Sequence, residues 1–537
     1  MVYLEESEHI EVIIVRRQFN VTGTCIPEED YMVDITEKLT QIKALVDNKA
    51  YFAINRGRQY GKTTTLHLLE NFLNDYIVIS ISFEGLGTEG FSDVEIFCQS
   101  FLKQIYKALR FTNVSQTYRE NWLNENIKTF SNLSDHITEM CENEKLVLMI
   151  DEVDKASNHR IFLDFLSKLR DKYLARRIKK DFTFHSIILV GVYDIRNLKL
   201  KMVQEGLHTP TATETTTYNS PWNIATDFNV DMSFSPVEIQ SMLIQYENDH
   251  QTKMNIEKIA QEIYNYTSGY PVLVSRICKY IDERLEKDWT TGGVRRAVKL
   301  VLKNESPLFD TLIKNLTSNP DLSDLLYQVL MSGKKRPFNI HNPLINLCYR
   351  YDYVKDANGT LKVSNKIFEV CLMDYFTDKL IDAENKKEPH INVDESGIIT
   401  GNQFNMQHCM EKFSNHLQKY HHTKDEKFIE REGRLLLLTF LSPILNGQGF
   451  VYIESQSTDG KQTDVIVNYL NQQFIIELKI WDGPKKHEKA YKQLLGYMER
   501  FDLKEGYLLT FDSRKTKKLS QNWVDFEDGK RIFDVVV

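Results

Sequence analysis

Three short clusters in this 537-residue sequence carry side chains suited to phosphate chemistry. The first, Arg56-Gly57-Arg58-Gln59-Tyr60-Gly61-Lys62-Thr63-Thr64, follows the apolar run YFAIN (51–55) and opens the helical pattern LHLLENFL. A strand, a glycine-containing loop and a Gly-Lys-Thr helix start present backbone N–H groups to an anion. Lys62 would then reach the β- and γ-phosphates of ATP, and the Thr63 hydroxyl would sit on Mg2+. The loop departs from G-x-x-x-x-G-K-[ST]: Arg56 holds the place of the first glycine, and Gly57 comes one residue later. Alone, the tripeptide is weak.

The second cluster ends the run KLVLMIDE (145–152) in Asp151-Glu152. An acidic pair at the C-terminal tip of a buried parallel strand can hold the metal through Asp151 and polarise the attacking water through Glu152. Solvated strand-end carboxylates are the bland reading of that pair by itself. Two motifs in the right order, each after a strand, argue against coincidence.

The third lies in GKQTDVIVNYLNQQFIIELKIW (460–481). Glu477 and Lys479 are two apart on a strand and share a face. Asp464, folded across the turn, adds a second carboxylate. Two carboxylates suit Mg2+, and a lysine beside a metal can orient or help deprotonate a water that attacks a phosphodiester. An edge strand with a cross-strand salt bridge would show the same short motif. Downstream, Gln493 and Tyr497 stand at i and i+4, on one helix face.

The elements that must position these groups follow from the apolar patterning. Up to about Ser235, the runs YFAIN, YIVISISF, KLVLMID and HSIILVGVY alternate with helical stretches, as a parallel sheet covered on both faces requires. From Pro236 to about Ser318 the spacing of apolar residues is helical. Leu322 to Phe376 gives two helices, then YDYVKDANGTLKVSN, in which Asn358-Gly359 marks a hairpin and the whole a small winged helix. Asp382 to Asn402 is polar and reads as a linker. A separate α/β unit follows. The expected organisation is an ATPase core over 1–235, a helical lid over 236–318, a winged-helix segment over 319–381, a linker over 382–402 and a last domain over 403–537.

Composition sets outer limits. Hydrophobic residues make up 42% and charged residues 26%, a globular balance that suits three or four domains of roughly 150 residues. The net charge of −8 excludes a whole-chain basic footprint for nucleic acid, leaving only local patches. Seven scattered cysteines, none spaced C-x-x-C, exclude a disulfide scaffold and a cysteine zinc knuckle. The N-terminus lacks the pattern of a secretory signal. The longest greasy run, Leu435 to Leu445, falls far short of the ~20 residues that span a bilayer. A cytoplasmic protein with no membrane partner is expected.

The segments RQFNVTGTC, YMVDI, YFAINRGRQYGKTTTL and LMIDEVD resemble the bacterial AAA-ATPase-like proteins, a P-loop branch near the AAA+ and signal-transducing NTPases. The resemblance spans roughly Gln18 to Phe376. It implies an α/β P-loop NTPase with a parallel sheet, a helical lid and a winged helix, and it makes the Arg56-Gly57-Arg58 departure usual. Asp194, Arg196 and Asn197, after the strand HSIILVGV, compete to sense the γ-phosphate, or the segment is a plain strand-end turn. Ser268-Gly269-Tyr270-Pro271 could cover the adenine or be a plain turn, and Arg276 and Arg196 are the open choices for an arginine finger.

From about Gln403 to Asp512, the D…E-x-K and Q-x-x-x-Y pattern resembles the exonuclease branch of the PD-(D/E)XK nucleases. That resemblance implies a restriction-endonuclease-like α/β domain, with Gln493 and Tyr497 lining the site and contacting DNA. It implies a further acidic ligand near the helix start, Glu432 in preference to Glu430, and an acidic position at Glu454. Lys485, Lys486, Lys489 and Lys492 could meet phosphates or form a solvated face. Lys334, Lys335 and Arg336, before a possible recognition helix, could bind a backbone or make only protein contacts.

Taken together, the expectation is an ATPase coupled to Mg2+-dependent DNA cleavage, with bacterial defence against foreign DNA or DNA processing as its family context. The alternative is a nucleotide-dependent switch or an oligomeric remodelling ATPase whose last domain binds DNA or protein without cutting. A homo-oligomer fits either.

Overall fold

β-branched runs bounded by polar turns become the strands, and amphipathic runs between them become the covering helices. The computed structural model describes residues 17–156, 159–192, 222–331, 336–385, 396–420, 430–445, 449–454, 464–512, 514 and 520–537. The side chains of Glu430, Glu432, Glu454 and Asp464 lie outside the described residues, as do Asp194, Arg196, Asn197, Lys334 and Lys335 altogether.

The chain divides into two compact units, one running to Ala260 with Val274–Lys279, the other formed by Gln261–Leu273 with Tyr280–Val537. The division passes through the helical stretch between 236 and 318.

In the first unit the elements are α1 (Thr36–Asp47), β1 (Tyr51–Asn55), α2 (Lys62–Phe72), β2 (Ile77–Ser82), α3 (Val94–Leu109), α4 (Gln116–Asn121), α5 (Phe130–Cys141), β3 (Leu146–Asp151), α6 (Arg160–Arg177), β4 (Ser186–Gly191) and α7 (Pro236–His250). The strands form one parallel sheet in the order β1-β4-β3-β2. All six residues of β3 and all six of β4 are buried, so these strands read as continuous apolar runs and not as alternating ones. Phe83, Phe97, Phe101, Phe162 and Phe165 fill the core beside the sheet. Asp93 caps α3 through the Ile96 N–H, and Ser235 with Glu238 closes a capping box at the start of α7. Phe19, Tyr31 and Tyr246 interlock with ring centroids 4.9–5.2 Å apart, fixing the segment before α1 against α7.

Helices α8 (Ile256–Thr267) and α9 (Pro271–Arg284) cross the division between the units. The second unit continues with α10 (Thr291–Lys303), α11 (Pro307–Ser318), α12 (Pro320–Met331), α13 (Pro343–Arg350), β5 (Val354–Ala357), β6 (Thr360–Val363) and α14 (Lys366–Asn385). Asn358 (φ 54°) and Gly359 (φ 79°) are both left-handed, the conformation a two-residue hairpin turn demands. A bridge from Pro337 to Thr360 adds a third segment to this hairpin.

The predicted linker is shortened at both ends: α14 runs on to Asn385, and a hairpin, β7 (Ile399–Thr400) with β8 (Gln403–Phe404), begins before residue 402. Phe404 packs on Tyr469 and Phe474, which explains why the chain is already ordered there.

Then come α15 (Met406–Tyr420), α16 (Glu430–Leu445), β9 (Gly449–Glu454), β10 (Asp464–Tyr469), β11 (Gln472–Ile480), α17 (Pro484–Arg500), β12 (Glu505–Phe511), β13 (Ser520–Asp525) and β14 (Arg531–Val536). The sheet order is β13-β14-β12-β11-β10-β9. β9, β10 and β11 form an antiparallel meander, and α17 carries the chain across to β12, parallel to β11. Within this unit α14 packs on β9, where Lys366 lies 4.5 Å from the Tyr452 ring centre and Tyr266 meets Phe450 and Tyr452 edge-on. No helix among the described residues is long and apolar enough to cross a membrane.

Candidate functional site

The parallel sheet directs the C-terminal ends of β1, β3 and β4 to one edge, and the first cluster assembles there. Gln59 (φ 57°) and Gly61 (φ 72°) turn the loop after β1 through left-handed conformations, and α2 starts at Lys62. The Arg56 N–H donates to the Gly191 carbonyl at 3.2 Å, anchoring the loop to β4. The Lys62 ammonium lies back along the loop, donating to the carbonyls of Gly57 at 2.7 Å and Arg56 at 3.0 Å. Gly57 and Tyr60 are buried and Arg58 is exposed. The Gln59 amide oxygen is buried with no hydrogen-bond partner in the described structure.

Thr63 donates its hydroxyl to Asp151 Oδ2 at 2.7 Å, while Asp151 Oδ1 accepts the Glu152 N–H at 2.8 Å. Hydroxyl and carboxylate are the hard oxygen donors that Mg2+ prefers. Glu152 holds φ 53°, an uncommon conformation for a residue with a side chain, and is half-buried. Burial, then the Asp151 charge beside it, pushes its carboxyl above the ordinary value, with Lys62 opposing. The next carboxylate, Asp154, accepts the Val192 N–H at 2.6 Å. A Cβ at Gly191 would stand 2.9 Å from Asp154 Oδ1, so only glycine leaves room for this clamp between the tips of β3 and β4.

The sequence reading brought together Lys62, Thr63, Asp151 and Glu152, as the structure does, and passed over Asp154. Thr64, the last residue of the expected phosphate loop, accepts the Cys25 N–H with its hydroxyl at 3.1 Å and ties the preceding segment to α2. Of the open choices, Ser268 (φ 46°) and Gly269 (φ 75°) form a left-handed turn before Pro271 opens α9, and Arg276 is buried on α9.

The second cluster is built on the meander. Val465 pairs with Ile476, so Asp464, one residue earlier, comes to the register level of Glu477. Glu477 is 0% exposed and ion-paired with Lys479, whose side chain is 16% exposed. Glu477 Oε2 has no hydrogen-bond partner among the described residues. Taking a carboxylate fully out of water is costly even with one partner, so apolar packing would serve stability better at this position.

β12 pairs Leu508 with Glu477 and Thr510 with Lys479, and β14 pairs Asp534 with Leu508. Helix α17 covers this face. His487 Nε2 lies 2.8 Å from Asp534 Oδ2, the Tyr491 hydroxyl donates to the same oxygen at 2.6 Å, and the His487 ring packs 5.1 Å from Trp481. Leu494 and Met498 press on Gly506, where a Cβ would come 2.7 Å from the Met498 sulfur. Tyr497 is buried, and Gln493, one turn before it, has a buried Nε2 with no hydrogen-bond partner in the described structure.

His487, Tyr491 and Asp534 were missed in the sequence. The only signal was a histidine and a tyrosine four apart, with an aspartate inside an apolar strand. Among the described residues, no group of three or more His, Cys, Asp or Glu side chains could hold a metal ion.

The model of the AAA-like domain matches residues 31–344. No curated protein matches the chain. Among solved structures it is similar to the Walker-type ATPase PABY2304 of Pyrococcus abyssi, with 14% identity over 66% of this chain and 99% of that one and a TM-score of 0.46. The Aeropyrum pernix ORC1 protein in complex with DNA matches at 12% identity over 65% of this chain and 94% of that one, with a TM-score of 0.29. The ORC2 protein of the same organism, in ADPNP–ADP complexes, matches at 14% identity over 65% and 94%, with a TM-score of 0.33. The family match covers more than half of the sequence and includes Lys62, Thr63, Asp151 and Glu152; this chain belongs to the AAA-like domain family.

Proposed function

We propose that the chain couples ATP binding and hydrolysis to cleavage of DNA phosphodiester bonds. The ATPase half rests on family membership and on the meeting of Lys62, Thr63, Asp151 and Glu152 at the strand tips. Lys62 and the N–H groups of the first turn of α2 would bind the phosphates. Thr63 and Asp151 would hold Mg2+, which when bound neutralises charge on the phosphates. Glu152 would take the proton of the attacking water, a role its raised pKa suits.

A single observation carries the cleavage half: a fully buried carboxylate, Glu477, paired with Lys479 on the third strand of a meander that is followed by a helix and a parallel strand. Glu477, with Asp464 at its register level, offers hard oxygen to Mg2+, which would activate a water there. Lys479 would orient that water or stabilise the charge that develops on the phosphate. Gln493 and Tyr497 on α17 would line the site. Glu432, on α16, is a further proposed ligand.

The test is digestion of circular and linear DNA with Mg2+, with and without ATP. Lys479→Ala should abolish cutting, and Lys62→Ala should abolish its dependence on ATP. Cutting that survives Lys479→Ala would remove the cleavage assignment. The second reading, a nucleotide-dependent switch whose last domain binds without cutting, draws on the ion pair itself, since Lys479 occupies the carboxylate a metal would use. It predicts DNA or protein binding that responds to ATP and no cleavage by the wild type.

A further inference from the structure

Helix α17 presents a second feature, away from its buried face. Lys485, Lys489, Lys492 and Gly496 follow one another at steps of four, three and four residues, so they form one stripe along the helix. All four are exposed. None of the three lysines makes an ion pair among the described residues, whereas Lys486, outside the stripe, is paired with Asp482. Gln493 borders the stripe between Lys489 and Gly496. Glu488 and Glu499 border its other side, so the positive potential leans toward Gln493.

Gly496 is the anomaly. It lies in the interior of α17, where glycine is a poor helix former. At Gly433 and Gly506 the structure supplies a reason: a Cβ would stand 2.3 Å from the Phe511 ring and 2.7 Å from the Met498 sulfur. At Gly496 a Cβ would meet nothing within 4 Å among the described residues. Its φ is not left-handed either, so neither packing against the described residues nor conformation demands glycine. Close approach of a partner to the helix backbone would give this glycine a purpose.

We infer that this stripe seats the sugar–phosphate backbone of a nucleic-acid strand, with Lys485, Lys489 and Lys492 on its phosphates and the strand in contact with the helix backbone at Gly496. The occupant is a polyanion by charge complementarity. The eleven residue steps from Lys485 to Gly496 rise about 16 Å, which matches roughly five nucleotide steps along a duplex axis at about 3.4 Å of rise each. The inference rests on the cleavage reading of β11 only for its direction, since the stripe leads toward Gln493 and so toward the proposed site.

The test uses the full chain and a labelled duplex oligonucleotide in EDTA, read by fluorescence anisotropy over a salt series, with a thermal melt of each variant. Gly496→Ala is expected to bind at least fivefold more weakly while melting at the same or a higher temperature, because alanine is the better helix former. Replacing the three lysines with alanine should lower the slope of log affinity against log salt by up to about 2.7. Wild-type affinity in Gly496→Ala, an unchanged salt slope in the triple variant, or equal displacement by poly-glutamate would each overturn the assignment. Adding Mg2+ separates the two ideas. A wild type that binds through the stripe and does not cut leaves the stripe standing without the cleavage reading. Cutting with normal binding by Gly496→Ala does the reverse.

Discussion

The Thr63 hydroxyl and Asp151 Oδ2, 88 residues apart in sequence, lie 2.7 Å from each other. This bond joins the start of the helix after β1 to the tip of β3, although β4 stands between those two strands in the sheet. It sets the spacing between the residues that would hold the phosphates and the one that would hold the metal.

Thr63→Ala should therefore weaken binding of a fluorescent ATP analogue with Mg2+. Losing a hydrogen bond to a charged group costs about 1.5–3 kcal/mol, or roughly 10- to 150-fold in affinity. Thr63→Ser keeps the hydroxyl and should stay within about twofold of wild type by that same reasoning. A serine variant as weak as the alanine variant would show that the methyl group, not the oxygen, matters there.

Glu152 gives a pH dependence whose sign can be worked out. Its carboxyl is raised above 4.5, chiefly by burial. As a base it acts only when ionised, so ATP hydrolysis should rise with pH through that raised value. Stability moves the other way: its contribution is complete below 4.5 and is lost as pH climbs through the folded value. Glu152→Gln should retain nucleotide binding, lose hydrolysis by about 10²- to 10⁴-fold, and remove this component from melts taken across the same window. Unchanged hydrolysis in Glu152→Gln would move the base elsewhere.

The residues that could be read in the sequence share one property: their partners are near in the chain or imposed by strand order. Lys62 and Thr63 follow a strand directly, Glu477 and Lys479 are two apart on one, and Asn358-Gly359 specifies its own turn. The hidden residues act through long-range contacts. Asp534 meets His487 and Tyr491 only because β14 pairs with β12 beneath α17, and the sequence reading ended its sheet before β13 and β14. The bland alternative for Glu477 was half of a cross-strand bridge on an edge strand, yet β11 lies inside the sheet and Glu477 is wholly buried, on the face that α17 covers. Asp154 was legible as a carboxylate but not as the clamp on β4, which depends on a missing Cβ at Gly191.

Tyr266 gives the third prediction. It ends α8 in the second unit, buried against Phe450 and Tyr452 of β9, and burial pushes its hydroxyl well up. β9 in turn pairs with β10, which carries Asp464. Tyr266→Ala should cost about 3–5 kcal/mol, as truncations of buried aromatics do, and lower the melting transition of this unit. Tyr266→Phe keeps the ring and should be nearly neutral. ATP binding should stay within about twofold, because the nucleotide contacts proposed above are all elsewhere. A Tyr266→Ala variant within about 0.5 kcal/mol of wild type would show that the ring carries no packing load there.

Glu477 and Lys479 decide between a structural ion pair and a metal-binding strand. Removing one partner of a buried pair strands the other charge, so Lys479→Ala should destabilise by about 3–5 kcal/mol. Glu477→Gln with Lys479→Met leaves neither charge and should recover most of that loss, measured by chemical denaturation. That cycle measures the pair but not its purpose. The discriminating measurement is the melting temperature without nucleotide as Mg2+ is added. A site that binds the ion only when folded gains about 2.7 kcal/mol at a concentration 100 times its Kd. The wild type should melt higher with Mg2+, and Glu477→Gln should show a smaller rise. An equal rise in both would assign the pair to architecture alone and leave the last domain a binding module.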